Sequence, residues 1–241
     1  LNTAVAHQLK AFKKEVDALI DKKGLKKDEA IFNVLREYIK SSKRIRFEGD
    51  GYSAAWEKEA AKRKLSHLRT TPEAIGVLSE KKYVDLFKES GVLSEVELKA
   101  RQEVDWESYI MHTQIEGRVY EEMVLTQILP AGVAYMNELL DNLNKFGQYS
   151  GPDFKGTQSA QGQILEAINT QIQSLKKELD QMTAARKKAN TLENTQERAL
   201  AYAAEVSPLF NRIRSHADLL EKQMADPYWP LLKYRELLQI K

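Results

Sequence analysis

Residues 163–182, QILEAINTQIQSLKKELDQM, decide the fold. Leu165, Ile168, Ile172, Leu175, Leu179 and Met182 recur at alternating steps of three and four, the repeat of a heptad seam. Mostly polar or charged residues fill the intervening positions, so the stretch predicts one helix with a single apolar stripe. Such a helix cannot bury its stripe alone. A partner lies downstream, where Ala199, Ala203, Val206, Phe210, Ile213, Ala217, Leu220 and Met224 repeat the pattern, interrupted by Pro208. A short turn at residues 190–194 joins the two, which predicts an antiparallel helical hairpin. The natural third partner starts at Ser94, where Ser94 and Glu97 form a capping box and Leu93 and Leu98 fit a hydrophobic staple. That helix can extend to Leu129, about 35 residues or roughly 50 Å. Pro130 lacks an amide hydrogen and predicts a kink or break, with helix resuming over Val133, Leu139, Leu140 and Leu143. FGQYSGPDFKGTQSAQG, residues 146–162, is rich in Gly, Ser and Pro and reads as a loop. The tail DPYWPLLKYRELLQIK, residues 226–241, is too apolar to stay free, so Tyr228, Trp229 and Leu232 are expected to dock back.

Upstream, the same periodicity continues in shorter pieces. Val5, Leu9, Phe12, Val16 and Leu19 predict a helix that Gly24 can close with a left-handed cap. Ile31, Val34, Leu35 and Ile39 predict a second. Ser53 can cap a short helix through Trp56, Thr71 with Pro72 starts another, and Ser79 is expected to cap a further one closed by Gly91. No repeat is strong enough for a solenoid. The expected class is all-α, with at most a trivial strand pairing near residues 45–47. It divides into helices over 1–45, a linker region with short helices over 46–93, and a long-helix antiparallel bundle with a proline-kinked helix over 94–241.

Composition narrows the function classes. The 241 residues carry 37 basic and 35 acidic side chains, a net charge of +2, with both signs interspersed. That gives no electrostatic case for nucleic acid. The absence of cysteine removes disulfides, thiolate catalysis and cysteine zinc sites, and fits a cytoplasmic location. No apolar run approaches the roughly 18 residues of a membrane span, and no signal-peptide pattern opens the chain. The start at Leu1, mid-helix and without Met, leads us to expect a fragment of a longer protein.

RFEGDGYSAAWEKEAAKRK, residues 46–64, is the stretch most like a site. Glu48 and Asp50 flank glycines, but an EF-hand loop needs oxygen ligands at alternate positions where Tyr52 and Ala54 stand. A phosphate cradle needs a Lys and a preceding strand, and neither is present. The preferred reading is a structural corner, in which Gly49 and Gly51 permit positive φ while Tyr52 and Trp56 pack the turn down. His7, His67, His112 and His216 show no metal-ligand spacing. Glu121 and Glu122 lie on a solvated helix face and lack the partner histidine of a di-iron bundle. The basic run at residues 43–46 suits a helix C-terminus. We therefore assign no catalytic, cofactor-binding or metal residue.

FEGDGYSAAWEKEAAKRKLSHLRTTPEAI resembles a segment of type III glutamine synthetases, F-N-G-[ND]-G-Y-S-x-x-W-x-x-E-A-x-x-R-G-L followed by L-x-T-T. Three further blocks resemble the family in order: LNTAVAHQL, the helix after its last catalytic strand; GVLSEVELKARQEV…QIEGRV…TQILPA, its long post-catalytic helix; and DPYWPLLKYRELLQI, its ending. The resemblance covers almost the whole chain. Departures are Glu48 for the usual Asn, Lys64 for the usual Gly, and Leu232 where Pro is common.

The resemblance implies a C-terminal region. The parent family makes glutamine from glutamate, ammonia and ATP, with divalent Mg or Mn held by glutamates that lie upstream of Leu1. No such ligand maps onto this chain, so the segment alone is expected to be inactive and to bind no cofactor. Residues 1–45 then correspond to the last helices of the catalytic domain, and the rest to an added helical domain in a homo-oligomer. The alternative is a free-standing helical adaptor or oligomerisation module that binds partner helices through its seams.

Overall fold

The computed structural model describes residues 1–151 and 154–238, among which no strand occurs. Contacts divide the chain into two units, Leu1–Asp105 and Trp106–Lys241.

The first unit holds α1 (Asn2–Lys23), α2 (Lys27–Ser42), α3 (Ala54–Lys62), α4 (Thr71–Gly76), α5 (Lys81–Glu89) and the start of α6 (Glu95–Met123). Gly24 ends α1 at φ 64°, returning its amide to the Ile20 carbonyl, a cap that a Cβ would strain. Val16, Ala30 and Val34 then form a small core with Phe12, Leu19, Ile20, Leu25, Ile31 and Tyr38. Phe12 and Tyr38 meet edge-to-face at 5.7 Å, and the Tyr38 hydroxyl donates to Glu15. The stripe expected on α2 splits in two. At about 100° per residue, Ile31, Val34 and Tyr38 share the face toward α1, while Leu35 and Ile39 fall with Phe32 on another. Those three are exposed, as are Val5 and Leu9 of α1.

The helix ends of this unit follow expectation except at Ser79. α4 is capped by Thr70, whose amide and hydroxyl both donate to the Glu73 carboxylate, at 3.0 and 2.9 Å. Ser79 does not cap α5, because its hydroxyl donates to Gln102 at 2.6 Å and leaves Glu80 at the cap without a side-chain bond. Gln102 is buried and its amide also donates to the Ile75 carbonyl, which ties the 75–79 turn to α6. Gly91 closes α5 as expected, at φ 64°. Ser94 and Glu97 form their reciprocal box at the start of α6.

In the second unit α6 runs through a π-turn, Val124–Ile128, into α7 (Leu129–Ser150). α8 (Ala160–Ala189) follows, then α9 (Thr195–Ala201), which passes through a second π-turn, Tyr202–Val206, into α10 (Ser207–Gln223). Both prolines are accommodated in the same way. The residue before each one donates its amide five residues back, Leu129 to Val124 and Ser207 to Tyr202. The widened turn makes room where the proline ring would meet a preceding carbonyl, so helix continues past Pro130 and Pro208. The loop after α7 is shorter than expected, since residues 146–150 remain helical up to Gly151 at φ 80°.

α8 and α9–α10 lie antiparallel. Gln171 meets His216, Glu178 meets Arg212, Lys188 meets Glu205 and Asn190 meets Tyr202. Ile168, Leu175, Leu179 and Met182 are buried from one side, and every stripe residue from Ala199 to Met224 from the other. The α6–α7 rod closes against them at glycines. A Cβ on Gly132 would lie 2.8 Å from Ile172, and one on Gly117 would lie 3.3 Å from Met182. In the tail, Tyr228 packs on Tyr135 at 5.1 Å and Trp229 is buried. Leu232 corrects the expectation of docking, because it is 71 % exposed.

Candidate functional site

Two places were open to a functional role, and the Gly-Asp-Gly corner is the first. Its geometry is built from short-range hydrogen bonds. The Asp50 carboxylate accepts the Tyr52 amide at 2.9 Å, and the Ser53 hydroxyl donates to the Asp50 carbonyl at 2.7 Å. Ser53 then caps α3 by accepting the Trp56 amide. The glycines act differently from the expectation, since neither has positive φ. Gly49 leaves room for the Phe47 ring, since a Cβ there would stand 2.8 Å from it and the ring would have to shift. Phe47 stacks obliquely on Trp56 at 4.9 Å, so Trp56 does anchor the turn. Tyr52 does not, being fully exposed.

Arg63 clamps the other side of this corner. Its guanidinium donates to the carbonyls of Arg44 and Arg46 and pairs with Glu59. That pairing holds the Glu59 carboxyl below its ordinary value, with the hydrogen bond from Arg63 as the leading cause. Lys64 follows in the left-handed conformation, φ 58°, while the Leu65 amide reaches back to the Ala60 carbonyl. The resemblance has Gly at this position, and the backbone shows why Gly suits it.

The second place is a cleft of 490 Å³ in the bundle unit, between α6, α10 and the tail. Val119, Met123, Val124, Ile213 and Trp229 make it apolar, while Glu116, Asp218 and Glu221 stand on its lining as acids. Asp218 is already bonded to Arg214 at 2.8 Å. Tyr120 also faces it, stacked on Phe210 at 5.0 Å, and burial raises its phenol above the ordinary value. A cleft of this volume and lining can enclose an apolar group. It was not legible beforehand, because its far wall is the folded-back tail.

Expected non-site residues fall as follows. His216 contacts Gln171 through Nδ1 at 2.8 Å, His7 is 3.9 Å from Glu89, and His67 is 3.8 Å from Glu57. His112 is exposed. Among the described residues no group of three or more acids and histidines could hold a metal ion. Glu121 corrects the reading of a solvated face, because it accepts from the buried Arg186 at 2.9 Å. A guanidinium taken out of water needs such a partner. No helix is long and apolar enough to cross a membrane among the described residues.

Comparison with known proteins gives this fold a family. Residues 30–146 match the glutamine synthetase C-terminal domain. The whole chain is 40 % identical to a glutamine synthetase of Bacteroides fragilis (strain YCH46) and 30 % identical to the type-3 glutamine synthetase of Dictyostelium discoideum. It covers 33 % of each of those proteins. A glutamine synthetase of Butyrivibrio fibrisolvens is 26 % identical over 87 % of the chain, which covers 30 % of it. The chain thus spans about a third of the length of the curated relatives it matches. An all-α chain carrying this domain is a glutamine synthetase C-terminal region. Its similarity to the type-3 enzyme narrows the family further, to the C-terminal region of a type III glutamine synthetase.

Proposed function

We propose that this chain is the structural and assembly segment of a cytoplasmic, homo-oligomeric type III glutamine synthetase. In that protein the ATP-dependent ligation of ammonia to glutamate, with Mg or Mn, belongs to a catalytic domain preceding residue 1. No residue of the present chain reacts, binds nucleotide or ligates metal. One observation supports this above others: similarity runs through 100 % of the chain yet accounts for 33 % of the B. fragilis relative, and the matching family model is a C-terminal domain. The bundle supports an assembly role, since its long paired helices supply an extended surface.

The test uses the full-length chain and a version lacking residues 106–241. The full chain is expected to form glutamine and to assemble into a particle much heavier than one chain by light scattering. The truncated chain is expected to lose that particle. Residues 1–241 alone should show no micromolar ATP affinity by calorimetry with magnesium. An unchanged particle mass after truncation, or tight ATP binding by the segment, would contradict the proposal.

A further inference from the structure

The cleft of the bundle unit has a buried apolar floor and an open apolar lip. Val124, Ile128, Ile213 and Trp229 form the floor and are buried. Val119, Leu232 and Leu237 form the lip and are 46 %, 71 % and 63 % exposed, so the mouth stands open. Scattered exposed leucines need no explanation, whereas apolar side chains gathered around one concavity mark a ligand-binding groove. At 490 Å³ the cleft falls in the range of small-molecule sites, about 300–1,000 Å³. A helix is about 10–12 Å across with its side chains, and two turns of one would occupy on the order of 850 Å³, so a helical partner does not fit inside.

The charge of the lining selects the ligand. Glu116 stands there on α6, and Arg214, Asp218 and Glu221 on α10, three acids against one guanidinium. Arg214 is bonded to Asp218. Among the described residues the carboxylates of Glu116 and Glu221 have no ion-pair partner, so the cleft carries an excess of negative charge. Lys233, beside this wall, is engaged elsewhere, donating to the Glu221 carbonyl and to the Asp226 carboxylate. The two walls act on one point, because the Tyr120 phenol is raised first by burial and then by Glu116, with Arg214 opposing and Asp218 adding from α10. Tyr120 and Trp229 also bring aromatic rings to the lining, which attract a cation within about 6 Å of the ring centre. We propose that this cleft binds an organic ammonium ion, with its apolar ring or chain on the floor of Val124, Ile213 and Trp229 and its nitrogen between Glu116 and Glu221. A neutral apolar ligand leaves both acids unpaired, and an anionic one meets like charge. Because the tail forms the far wall, binding also holds the tail against α6 and α10. The inference goes beyond the assembly role and needs only the bundle unit.

The test uses the full-length synthetase and three matched probes, 4-phenylbutylamine, 4-phenylbutanol and 4-phenylbutyrate, read by hydrogen exchange of peptides from α6, α10 and the tail. The amine is expected to slow exchange in the tail and to half-saturate at a concentration on the order of tenfold lower than the alcohol, while the carboxylate leaves exchange unchanged. Glu116→Gln combined with Glu221→Gln is expected to erase the difference between amine and alcohol. Val119→Trp, at the exposed lip, is expected to abolish protection by both. Unchanged exchange of α8 without any probe shows that each variant is folded. No slowing by the amine, or equal slowing by the three probes, overturns the proposal. An amine preference that survives the glutamine substitutions, or slowing that survives Val119→Trp, also overturns it, because the amine would then act at another site of the synthetase.

Discussion

In the bundle unit every stripe residue from Ala199 to Met224 is buried, against a seam on α8 that is buried at Ile168, Leu175, Leu179 and Met182 and half-buried at Leu165 and Ile172. In the first unit the stripe of α1 is covered along half its length, and α2 leaves a whole second face in solvent. Both units are built from helices. The difference lies in where the partner helix sits. α8 and the continuous α9–α10 are joined by a five-residue turn and complete each other, whereas α1 and α2 leave Val5, Leu9, Phe32, Leu35 and Ile39 exposed. An apolar period states that a face will be buried but not what will bury it.

The largest expected effects separate the two units. Leu179 and Phe210 lie at similar heights in the antiparallel pair, so Leu179→Ala and Phe210→Ala should each destabilise the 241-residue chain by roughly 2–5 kcal/mol in denaturant unfolding. Their double mutant should be non-additive, because contacting side chains share the lost packing. Leu35→Ala, on the uncovered face of α2, should change stability by about 0.5 kcal/mol or less, as should Lys177→Ala. A Leu35→Ala cost equal to that of Leu179→Ala would erase the contrast between the units.

Next comes the bundle's entry loop. A Cβ on Gly162 would stand 2.1 Å from the Gly156 carbonyl oxygen, a backbone atom that cannot swing aside. Gly162→Ala should therefore cost about 1–3 kcal/mol and shift the thermal midpoint downward. A smaller, opposite effect is expected in the first unit. Lys64 sits at φ 58°, and replacing it with glycine relieves the left-handed conformation while loosening the unfolded chain. The net result for Lys64→Gly should be a stabilisation of about 0.5 kcal/mol, read as a raised midpoint.

The seams were legible because period and burial coincide within one short hairpin. Gly24, Gly91 and the Ser94–Glu97 box were legible because caps are local chemistry. Ser79 was misread because its hydroxyl is claimed by Gln102, 23 residues away, and no local pattern encodes that. The two-faced α2 was read as one stripe because Ile31 and Val34 run into Leu35 and Ile39 in sequence while diverging around the helix. At the corner, Trp56 was anticipated as an anchor, but the role of Gly49 depends on where the Phe47 ring lies. The cleft required the tail to fold back, which is a tertiary event.

The smallest effect concerns acid. Glu97 has its carboxyl held below the ordinary 4.5, first by the Ser94 amide and then by the Ser94 hydroxyl. A depressed folded value means that the contribution is present above about pH 4.5 and fades as pH falls through the folded value. Glu97→Gln should flatten the acid side of the stability profile in that window and leave it unchanged near neutrality in shape. An unaltered slope below pH 4.5 would remove the carboxylate from the account.

The central claim is that the bundle buries its own apolar stripes while the α1–α2 hairpin leaves some of its apolar side chains exposed among the described residues, as suits the proposed segment of a longer synthetase. Hydrogen exchange by mass spectrometry, on residues 1–241 alone and on the full-length chain, tests it most directly. The account predicts that α8 and α10 exchange equally slowly in both, and that α1 and α2 exchange fast alone and slowly in the full chain. Equal protection of α1 and α2 in the two samples, or loss of protection in α8 and α10 of the isolated chain, would contradict it.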